Sequence, residues 1–201
     1  MERIPTVEEY RLNQEDYMKK YPTHPLSNIG KFKLDSGIFI ESGTNFGDTV
    51  QRAIDSGYKE IHSIEILKDL YDLFRLNSRF KSHIEEGTVK TYLGSSIDKL
   101  GPILENINKP VTFWLDGHLH GESKGIVHDA PIIEELKLIR DHHINTHTLL
   151  IDDMRIIRSS SWGRGCLVND VMSLVNEINP NYVITYEDGL TPDDVLIAEI
   201  K

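Results

Sequence analysis

The sequence contains little cysteine and no long apolar segment. Cys166 is the only cysteine among 201 residues, so an internal disulfide is excluded and a reducing compartment is favoured. No apolar run approaches the ~18 residues of a membrane helix, and the first residues lack the basic-then-apolar layout of a signal peptide. We therefore predict a cytoplasmic protein with no membrane partner.

Basic residues are also scarce relative to acidic ones. Lysine and arginine total 22 against 32 aspartates and glutamates, which gives a formal net charge of −10. A chain with this charge repels polyanions, so general binding to nucleic acid is not expected. Apolar residues make up 39% and charged residues 27%, the balance of a globular chain long enough to bury one core.

The first 36 residues differ in pattern from the rest of the chain. An acidic segment at 7–21 carries tyrosines seven positions apart, which predicts a helix. Pro22 and Pro25 then break the pattern and favour a loop. We predict that residues 1–36 form a helical extension packed on a main domain of residues 37–201. The extension is compatible with covering a cofactor, covering an acceptor or forming a homodimer.

From residue 37 onward, short apolar segments alternate with amphipathic ones. Apolar runs bounded by turn residues predict strands, and apolar residues at i, i+3, i+4 and i+7 predict helices between them. This alternation predicts an α/β fold, a doubly wound parallel sheet with helices on both faces, which binds ligands at the carboxyl ends of its strands. The predicted strands cover residues 37–40, 61–66, 89–93, 111–115, 148–151, 182–186 and 195–200.

The turn after the first predicted strand indicates a nucleoside-cofactor site. Gly43 and Gly47 allow the backbone to bend sharply and to approach a ligand, and the following helix directs free N–H groups toward an anion. Glu65 follows the second strand about 20 residues later, where a carboxylate can bind ribose hydroxyls. The Gly-x-x-x-Gly spacing departs from that of dinucleotide enzymes, which disfavours NAD. The alternative is a glycine-shaped turn beside a solvated Glu65.

Three carboxylates follow the fourth and fifth predicted strands. Asp116 ends the fourth strand, and Asp152 and Asp153 end the fifth, so neighbouring parallel strands would bring them to one edge. Clustered carboxylates repel one another unless protons or a cation neutralise them, and Mg²⁺ prefers oxygen ligands. We predict that these three residues bind a divalent cation, with Mg²⁺ favoured. The alternative is a helix-capping or turn role for each aspartate.

Two histidines follow Asp116 in a glycine-rich loop. His118 and His120 could act as a general base or ligate zinc, and the glycines around them predict a mobile lid. A second polar loop, residues 155–164, interleaves arginines with Trp162. That loop either contacts a phosphate or sugar or is simply solvated.

In order and spacing, these segments resemble the class I S-adenosylmethionine-dependent methyltransferases. The matching segments are Glu41-Ser42-Gly43-Thr44-Asn45-Phe46-Gly47, Ser63-Ile64-Glu65-Ile66, Leu93-Gly94-Ser95-Ser96, Phe113-Trp114-Leu115-Asp116 and Leu150-Ile151-Asp152-Asp153. Within that class they are similar to the metal-dependent O-methyltransferases of the catechol, caffeoyl-CoA and antibiotic-sugar types. The resemblance covers residues 37–154 and implies a Rossmann-like sheet of about seven strands with the last strand antiparallel.

The resemblance also implies a role for each matching residue. The residues implied to bind S-adenosylmethionine are Glu41, Gly43, Thr44, Asn45 and Gly47 at its methionine part, Glu65 at its ribose, and Ser95 and Ser96 beside its adenine. Asp116, Asp152 and Asp153 would take the positions of the metal ligands. Asp116 would also border the cofactor and take part in catalysis.

One departure from the family pattern concerns the catalytic base. In the antibiotic-sugar enzymes a lysine follows the fourth-strand aspartate by three residues, and that position is Leu119 in this sequence. His118 or His120 would therefore have to act as the base. The implied reaction is in-line transfer of a methyl group to a hydroxyl of a sugar or other vicinal diol, with the metal lowering the pKa of that hydroxyl.

Other functions are compatible with parts of the pattern. An NAD(P)-dependent short oxidoreductase would need a Tyr-x-x-x-Lys pair, and neither Tyr17 nor Tyr21 has a lysine four residues later. A non-catalytic module that binds a cofactor or a partner is compatible with the same fold. A metal-dependent hydrolase built on His118, His120 and the aspartates would bind a metal but not S-adenosylmethionine.

Overall fold

The computed structural model describes Lys19 and residues 24–118, 131–159 and 167–201. The helix predicted within residues 7–21 lies outside the described residues. His120 and Trp162 lie outside the described residues as well, so the roles predicted for them stay predictions. The same holds for Leu119, Arg164 and Cys166.

A seven-stranded sheet forms the centre of the protein. Its strands in chain order are β1 Ile38–Ser42, β2 Glu60–Glu65, β3 Val89–Leu93, β4 Thr112–Leu115, β5 Thr148–Ile151, β6 Val183–Glu187 and β7 Val195–Glu199. Their spatial order is β3-β2-β1-β4-β5-β7-β6. Strands β1 to β5 pair in parallel, and β7 runs antiparallel to both of its neighbours. The predicted α/β sheet with an antiparallel last strand is confirmed.

The most apolar strands lie in the middle of the sheet. Every residue of β1, β4 and β5 is buried, as expected for parallel strands that helices cover on both faces. Successive side chains point to opposite faces, so Phe113 and Trp114 enter two different core layers. At the sheet edge, β6 is only partly covered, and Val183 and Tyr186 are exposed.

Helices connect the strands and cover both faces of the sheet. The α-helices of the described residues are α1 Asp48–Asp55, α2 Lys68–Leu76, α3 Ser78–Glu85, α4 Ser96–Leu104, α5 Ile132–Arg140, α6 Met154–Ile157 and α7 Val168–Ile178. The sequence periodicity did not predict α3 or the short α6. Helix α3 starts separately because the Asn77 side chain accepts the N–H of Arg79 at 3.0 Å. Within the described residues, no helix has the length and apolarity needed to span a membrane.

The segment before β1 packs against the core. Where the sequence favours a loop, Pro25–Phe32 forms a 3-10 helix, because proline suits the first helical position and the His24 side chain accepts a backbone N–H. Ile29 and Phe32 of this helix are buried in one of the two core layers. The division of the chain at residue 37 stays a prediction.

The strand order reverses at β1, which has β2 on one side and β4 on the other. In doubly wound sheets, ligands bind outside the carboxyl ends of the strands at such a reversal. Ser42 at the end of β1 lies in register with Leu115 at the end of β4. The turn after β1 and the residues after β4 therefore meet at the same edge.

Candidate cofactor cleft and carboxylate cluster

A cleft of about 290 Å³ opens at the carboxyl ends of β1, β2, β3 and β4. A concave site in this position is the default binding site of a doubly wound sheet. Of the residues expected to bind a cofactor, those that line the cleft are Gly43, Asn45, Glu65, Ser95, Ser96 and Asp116. Those that do not line it are Glu41, Thr44 and Gly47.

The turn after β1 brings the backbone of β1 against that of β4. Gly43 has a φ of +88°, and its N–H donates to the carbonyl of Ile64 at 3.0 Å. A Cβ at Gly43 would collide with the carbonyl oxygen of Asp116, so only glycine fits there. At Gly47 a Cβ would collide with the ring of Phe74, so the absence of a side chain allows close packing at the start of α1.

Glu65 forms one wall of the cleft and is held in a fixed orientation. Its Oε2 accepts the N–H of Asn45 and its Oε1 accepts the N–H of Leu67, each at 2.8 Å. Burial raises the pKa of Glu65, and the backbone hydrogen bonds oppose that rise. Each oxygen keeps a further lone pair, so the carboxylate can accept two more hydrogen bonds from a ligand in the cleft.

Glu41 lies buried beneath the same turn. Its Oε1 accepts a hydrogen bond from Ser63 at 2.5 Å, and Ser63 in turn lies 2.5 Å from the hydroxyl of Thr44. Burial raises the pKa of Glu41 well above its usual range. Its Oε2 has no hydrogen-bond partner among the described residues. A buried carboxylate oxygen without a partner is costly, which indicates a role beyond packing.

The turn after β3 forms the opposite wall of the cleft. The N–H of Gly94 donates to the carbonyl of Glu65 at 2.8 Å, which holds this turn against the end of β2. Ser95 and Ser96 follow, and both line the cleft at the start of α4. Both serines therefore border the same space as Glu65.

At the edge of the cleft, which it helps to line, His118 joins the strand ends of β4 and β5. Its Nδ1 lies 3.0 Å from Asp116 Oδ1, and its Nε2 contacts Asp153 Oδ2. Burial by itself lowers the pKa of His118, but the two carboxylates outweigh that effect and raise it to about 10. In this arrangement His118 carries its proton and links the two aspartates as a cation.

Arg155 is the second internal cation of this region. Its guanidinium contacts Asp153 and also lies 2.5 Å from Asp194 Oδ2. Burial, together with the charges of Asp116 and Asp153, raises the pKa of Asp152 well above its usual range. We call Asp116, Asp152, Asp153 and Asp194, with His118 and Arg155, the carboxylate cluster.

The three aspartates predicted to bind a metal meet at one edge but do not form one set of ligand atoms. Asp116 and Asp153 group with His118, whereas Asp152 and Asp153 group with Asp194. Asp153 is common to both groups because its backbone, with a φ of +60°, turns the chain away from the strand direction. The assignment of Asp116, Asp152 and Asp153 as metal ligands stays a prediction.

The residues of the second polar loop that the structure describes have internal partners. Arg155 pairs with Asp153 and Asp194, and the guanidinium of Arg158 lies 5.2 Å from the ring centre of Tyr186. Both arginines therefore contribute to the structure of the domain, and nothing in their contacts points to a phosphate or sugar.

Sequence reasoning missed His24 as a member of this region. His24 is buried, its ring centre lies 5.7 Å from that of Trp114, and its Nε2 lies 3.9 Å from Asp152 Oδ2. Burial lowers the pKa of His24 to about 4. Its position beside Pro25 suggested only a break in a helix, and no local pattern links it to a strand end 128 residues later in the chain.

Sequence reasoning also missed Glu135 on α5. This side chain is 1% exposed and lies directly behind Gly117, next to Asp116 and His118. Burial raises the pKa of Glu135, and hydrogen bonds from the Ser96 and Ser42 hydroxyls oppose that rise. The signal in the sequence is a glutamate on the apolar face that Ile132, Leu136 and Ile139 define.

Comparison with known proteins gives matches to structures only. The sequence matches no model of a protein family, and it matches no curated protein. An O-methyltransferase from Bacillus cereus in complex with SAH aligns with a TM-score of 0.60 at 13% identity, over 100% of this chain and 93% of that one. A Streptococcus mutans protein considered a methyltransferase, also in complex with SAH, aligns with a TM-score of 0.58 at 16% identity, over 88% and 97%.

The same fold also occurs in an enzyme with a different reaction. Spermidine synthase from Thermotoga maritima aligns with a TM-score of 0.56 at 7% identity, over 88% of this chain and 59% of that one. Structural similarity at such low sequence identity shows the fold only. The reaction has to be inferred from the residues of the site. The resemblance to class I S-adenosylmethionine-dependent methyltransferases is thus confirmed at the level of the fold, which this chain shares.

Proposed function

We propose that this protein is an S-adenosylmethionine-dependent methyltransferase that transfers the methyl group to oxygen. The observation that carries the proposal is the cleft, in which Gly43, the fixed carboxylate of Glu65 and the serines after β3 face one another. This is the donor set expected to bind an amino-acid end, a ribose and an adenine in a single extended ligand.

The residues present fit this cofactor. Gly43 lines the cleft without a side chain, and Glu65 offers two oriented oxygens to a pair of ribose hydroxyls. Ser95 and Ser96 would lie beside the adenine. Glu41 lies buried beneath the turn, and its role at the methionine part stays the one that the sequence resemblance implies. When bound, the cofactor supplies an electrophilic methyl group on a sulfonium.

The carboxylate cluster adjoins the cleft, and this position supports a role in binding the acceptor. Asp116 and His118 line the cleft and also face Asp153, so they connect the cofactor side to the cluster. A divalent cation held there would lower the pKa of an acceptor hydroxyl, which is the chemistry that the sequence resemblance implies. His118 as the base stays a prediction, since it keeps its proton while both carboxylates accept hydrogen bonds from it.

We propose a sugar or another vicinal diol as the acceptor, on the basis of the paired Asp152 and Asp153 at the end of β5. Two adjacent hydroxyls could share one cation in the cluster, which orients one of them in line with the methyl group. Transfer of labelled methyl from S-adenosylmethionine to a panel of sugars and catechols, with and without a divalent cation, tests this. Incorporation into amines or thiols only would contradict it.

The cofactor site is tested by calorimetric titration of the full chain with S-adenosylhomocysteine. We expect binding by the wild-type protein and a loss of affinity of about 10- to 100-fold in Glu65→Gln, because hydrogen bonds to a charged acceptor contribute about 1.5–3 kcal/mol. Glutamine keeps the size of the side chain, so the cleft itself is preserved.

Glu86→Gln is the matched control, since Glu86 is exposed at the end of α3 and far from the cleft residues. This variant should bind as the wild-type protein does. If the wild-type protein did not bind S-adenosylhomocysteine, the proposal would be refuted. The metal-dependent hydrolase and the non-catalytic binding module would then remain as alternative functions. Equal binding by Glu65→Gln would place the ligand elsewhere.

A further inference from the structure

We propose that a groove between β3 and α4 is a second binding site, which takes a small organic carboxylate with an apolar body. This edge groove has a volume of about 420 Å³ and lies between side chains of β2 and β3 on one side and α4 on the other. None of the residues that line it also lines the cofactor cleft. The inference therefore goes beyond the proposed function and does not depend on it.

A chain of hydrogen-bonded polar side chains forms the sheet wall of the edge groove. Glu60 and His62 of β2 lie on the same face as Lys90 and Tyr92 of β3. Glu60 Oε1 accepts a hydrogen bond from Lys90 at 2.5 Å and lies 3.1 Å from His62 Nε2. His62 Nδ1 lies 2.9 Å from the hydroxyl of Tyr92. These contacts hold the wall in place and pair the Glu60 charge with that of Lys90.

The helix wall of the edge groove is apolar. Pro102 and Ile103 of α4 line it, together with Ile107 in the turn that follows. Ile103 and Ile107 belong to the core layer beneath α4, so this wall is anchored by packing. Because β3 is the last strand at this end of the sheet, no neighbouring strand fills the space beside it. An apolar wall that faces a polar one suits a ligand with an apolar body and one polar end.

Lys99 gives the edge groove its charge. Lys99 lies on α4, is half-buried, and has no ion-pair partner in the part of the chain that the structure describes. The lining contains the positive charges of Lys90 and Lys99 and the negative charge of Glu60, so its net charge is +1. The whole chain has a formal net charge of −10. A local positive site in an acidic protein favours an anionic ligand.

The size and charge of the edge groove define the class of ligand. Small-molecule sites have volumes of about 300–1,000 Å³, and the edge groove lies in that range. A net charge of +1 matches a singly charged carboxylate better than a doubly charged phosphate. Asn106 adds a neutral donor, since its amide gives one N–H to the carbonyl of Pro102 at 2.9 Å and carries a second.

The edge groove and the cofactor cleft lie on opposite sides of the Gly94 turn. Gly94 lines the cleft, and Lys99 lines the edge groove. A Cβ at Gly94 would lie 2.6 Å from Cε of Lys99, so the lysine side chain packs directly behind the cleft wall. The two sites are therefore adjacent but separate, and we expect them to be occupied at the same time.

The test is an NMR titration of the full chain, labelled at isoleucine methyl groups, with naphthoate as the probe. Naphthoate carries one carboxylate on a bicyclic apolar body. We expect saturable shifts of the methyl signals of Ile103 and Ile107, which line the edge groove. The signal of Ile29, in the other core layer, should not move. Naphthamide, a neutral analogue of the same shape, should bind more weakly.

Lys99→Gln removes the charge and keeps much of the side chain. Its affinity for naphthoate should fall by about 3- to 10-fold, the effect expected for one partly screened contact between charges. Lys81→Gln is the matched control, because Lys81 is exposed on α3, whose Phe80 packs in the other core layer. Absence of saturable shifts at Ile103 and Ile107 overturns the inference. Equal affinity of the wild-type protein and Lys99→Gln, or equal affinity for naphthoate and naphthamide, overturns it as well.

The same titration with saturating S-adenosylhomocysteine separates this inference from the proposed function. Naphthoate should still shift the signals of Ile103 and Ile107. Displacement of naphthoate by S-adenosylhomocysteine would place the probe in the cofactor cleft, which overturns the second site and leaves the cofactor site in place. If the protein does not bind S-adenosylhomocysteine, the proposed function is refuted, and the titration with naphthoate alone decides whether the edge groove is a binding site.

Discussion

Single residues at the strand ends determine whether the cleft exists. Gly43 permits close contact of the β1 turn with the carbonyl of Asp116, and Glu65 is oriented by two backbone N–H groups. Neither residue contributes through burial of apolar surface. Their effect is geometric, because each fixes the position of backbone or carboxylate atoms that face the same space.

Gly43→Ala should destabilise the protein and abolish binding in the cleft. A left-handed residue with a Cβ costs about 1–2 kcal/mol, and the collision with the Asp116 carbonyl adds to that cost. Movement of the turn would also displace the N–H of Asn45 from Glu65. Urea unfolding and calorimetry with S-adenosylhomocysteine would measure the two effects.

Gly87→Ala is the matched control for this variant. Gly87 has a similar φ of +80°, and a Cβ there would meet nothing within 4 Å. It should lose stability through its backbone conformation alone and should keep its ligand affinity. Equal stability loss in both variants, with binding intact in Gly43→Ala, would show that the close approach to β4 is unimportant.

At the scale of elements, the C-terminal hairpin of β6 and β7 supports the carboxylate cluster. Asp194, just before β7, accepts two hydrogen bonds from Arg155, one from the backbone N–H and one from the guanidinium. Arg155 then contacts Asp153 at the end of β5. The antiparallel last strand therefore holds the end of β5 in place from the side.

Asp194→Ala should be strongly destabilising. Loss of one partner of a buried charged pair typically costs about 3–5 kcal/mol. The change removes the acceptor of the backbone N–H groups of Arg155 and Leu190, and it leaves the Arg155 guanidinium with Asp153 as its remaining carboxylate contact. Urea unfolding measures this cost. Asp188→Ala is the control, since Asp188 lies in the same hairpin but is exposed. A loss in Asp194→Ala no larger than that in the control would contradict the supporting role.

At the scale of the whole molecule, buried ionisable groups make stability depend on pH in opposite directions. Burial lowers the pKa of His24 and His147 to about 4, from 6.5, so below pH 6.5 the unfolded chain binds protons that the native state does not. These histidines therefore reduce stability as the pH falls from 6.5 to 4. Buried carboxylates such as Glu41 and Asp152, whose pKa values are raised, act in the opposite sense.

His147→Asn isolates one of these contributions. His147 Nδ1 accepts the N–H of Val111 at 3.0 Å, and its Nε2 lies 3.1 Å from His142 Nδ1. Asparagine can still accept from Val111 but does not titrate. We expect the stability of the wild-type protein relative to this variant to fall by up to about 3 kcal/mol between pH 7 and pH 4.

Chemical denaturation at several pH values measures this difference. The exposed His143→Asn should show no comparable trend and serves as the control. If the difference in the free energy of unfolding between the wild-type protein and His147→Asn stayed constant from pH 7 to pH 4, His147 would bind protons equally in the native and unfolded states.

The order of the elements, and the edge of the sheet where the site lies, could be predicted from the amino-acid sequence alone. The predicted bounds of β3 and β5 agree with the observed strands Val89–Leu93 and Thr148–Ile151. A short apolar run between turn residues leaves little freedom in where a strand begins and ends. The glycines after β1 and the polar residues after the other strands predicted where the cleft lies. In a parallel sheet these positions share one edge by construction.

Which side chains meet at this edge depends on packing between elements that are distant in the sequence. His24 and Glu135 reach the cluster across long sequence separations, and no local periodicity encodes such contacts. The grouping of Asp153 with His118 depends on the turn of the backbone after β5, and pairing with Arg155 depends on the hairpin that positions Asp194. The charge, burial and partners of each site residue result from packing between elements. His118 is protonated because the fold places it between Asp116 and Asp153, and the loop sequence around His118 does not reveal this.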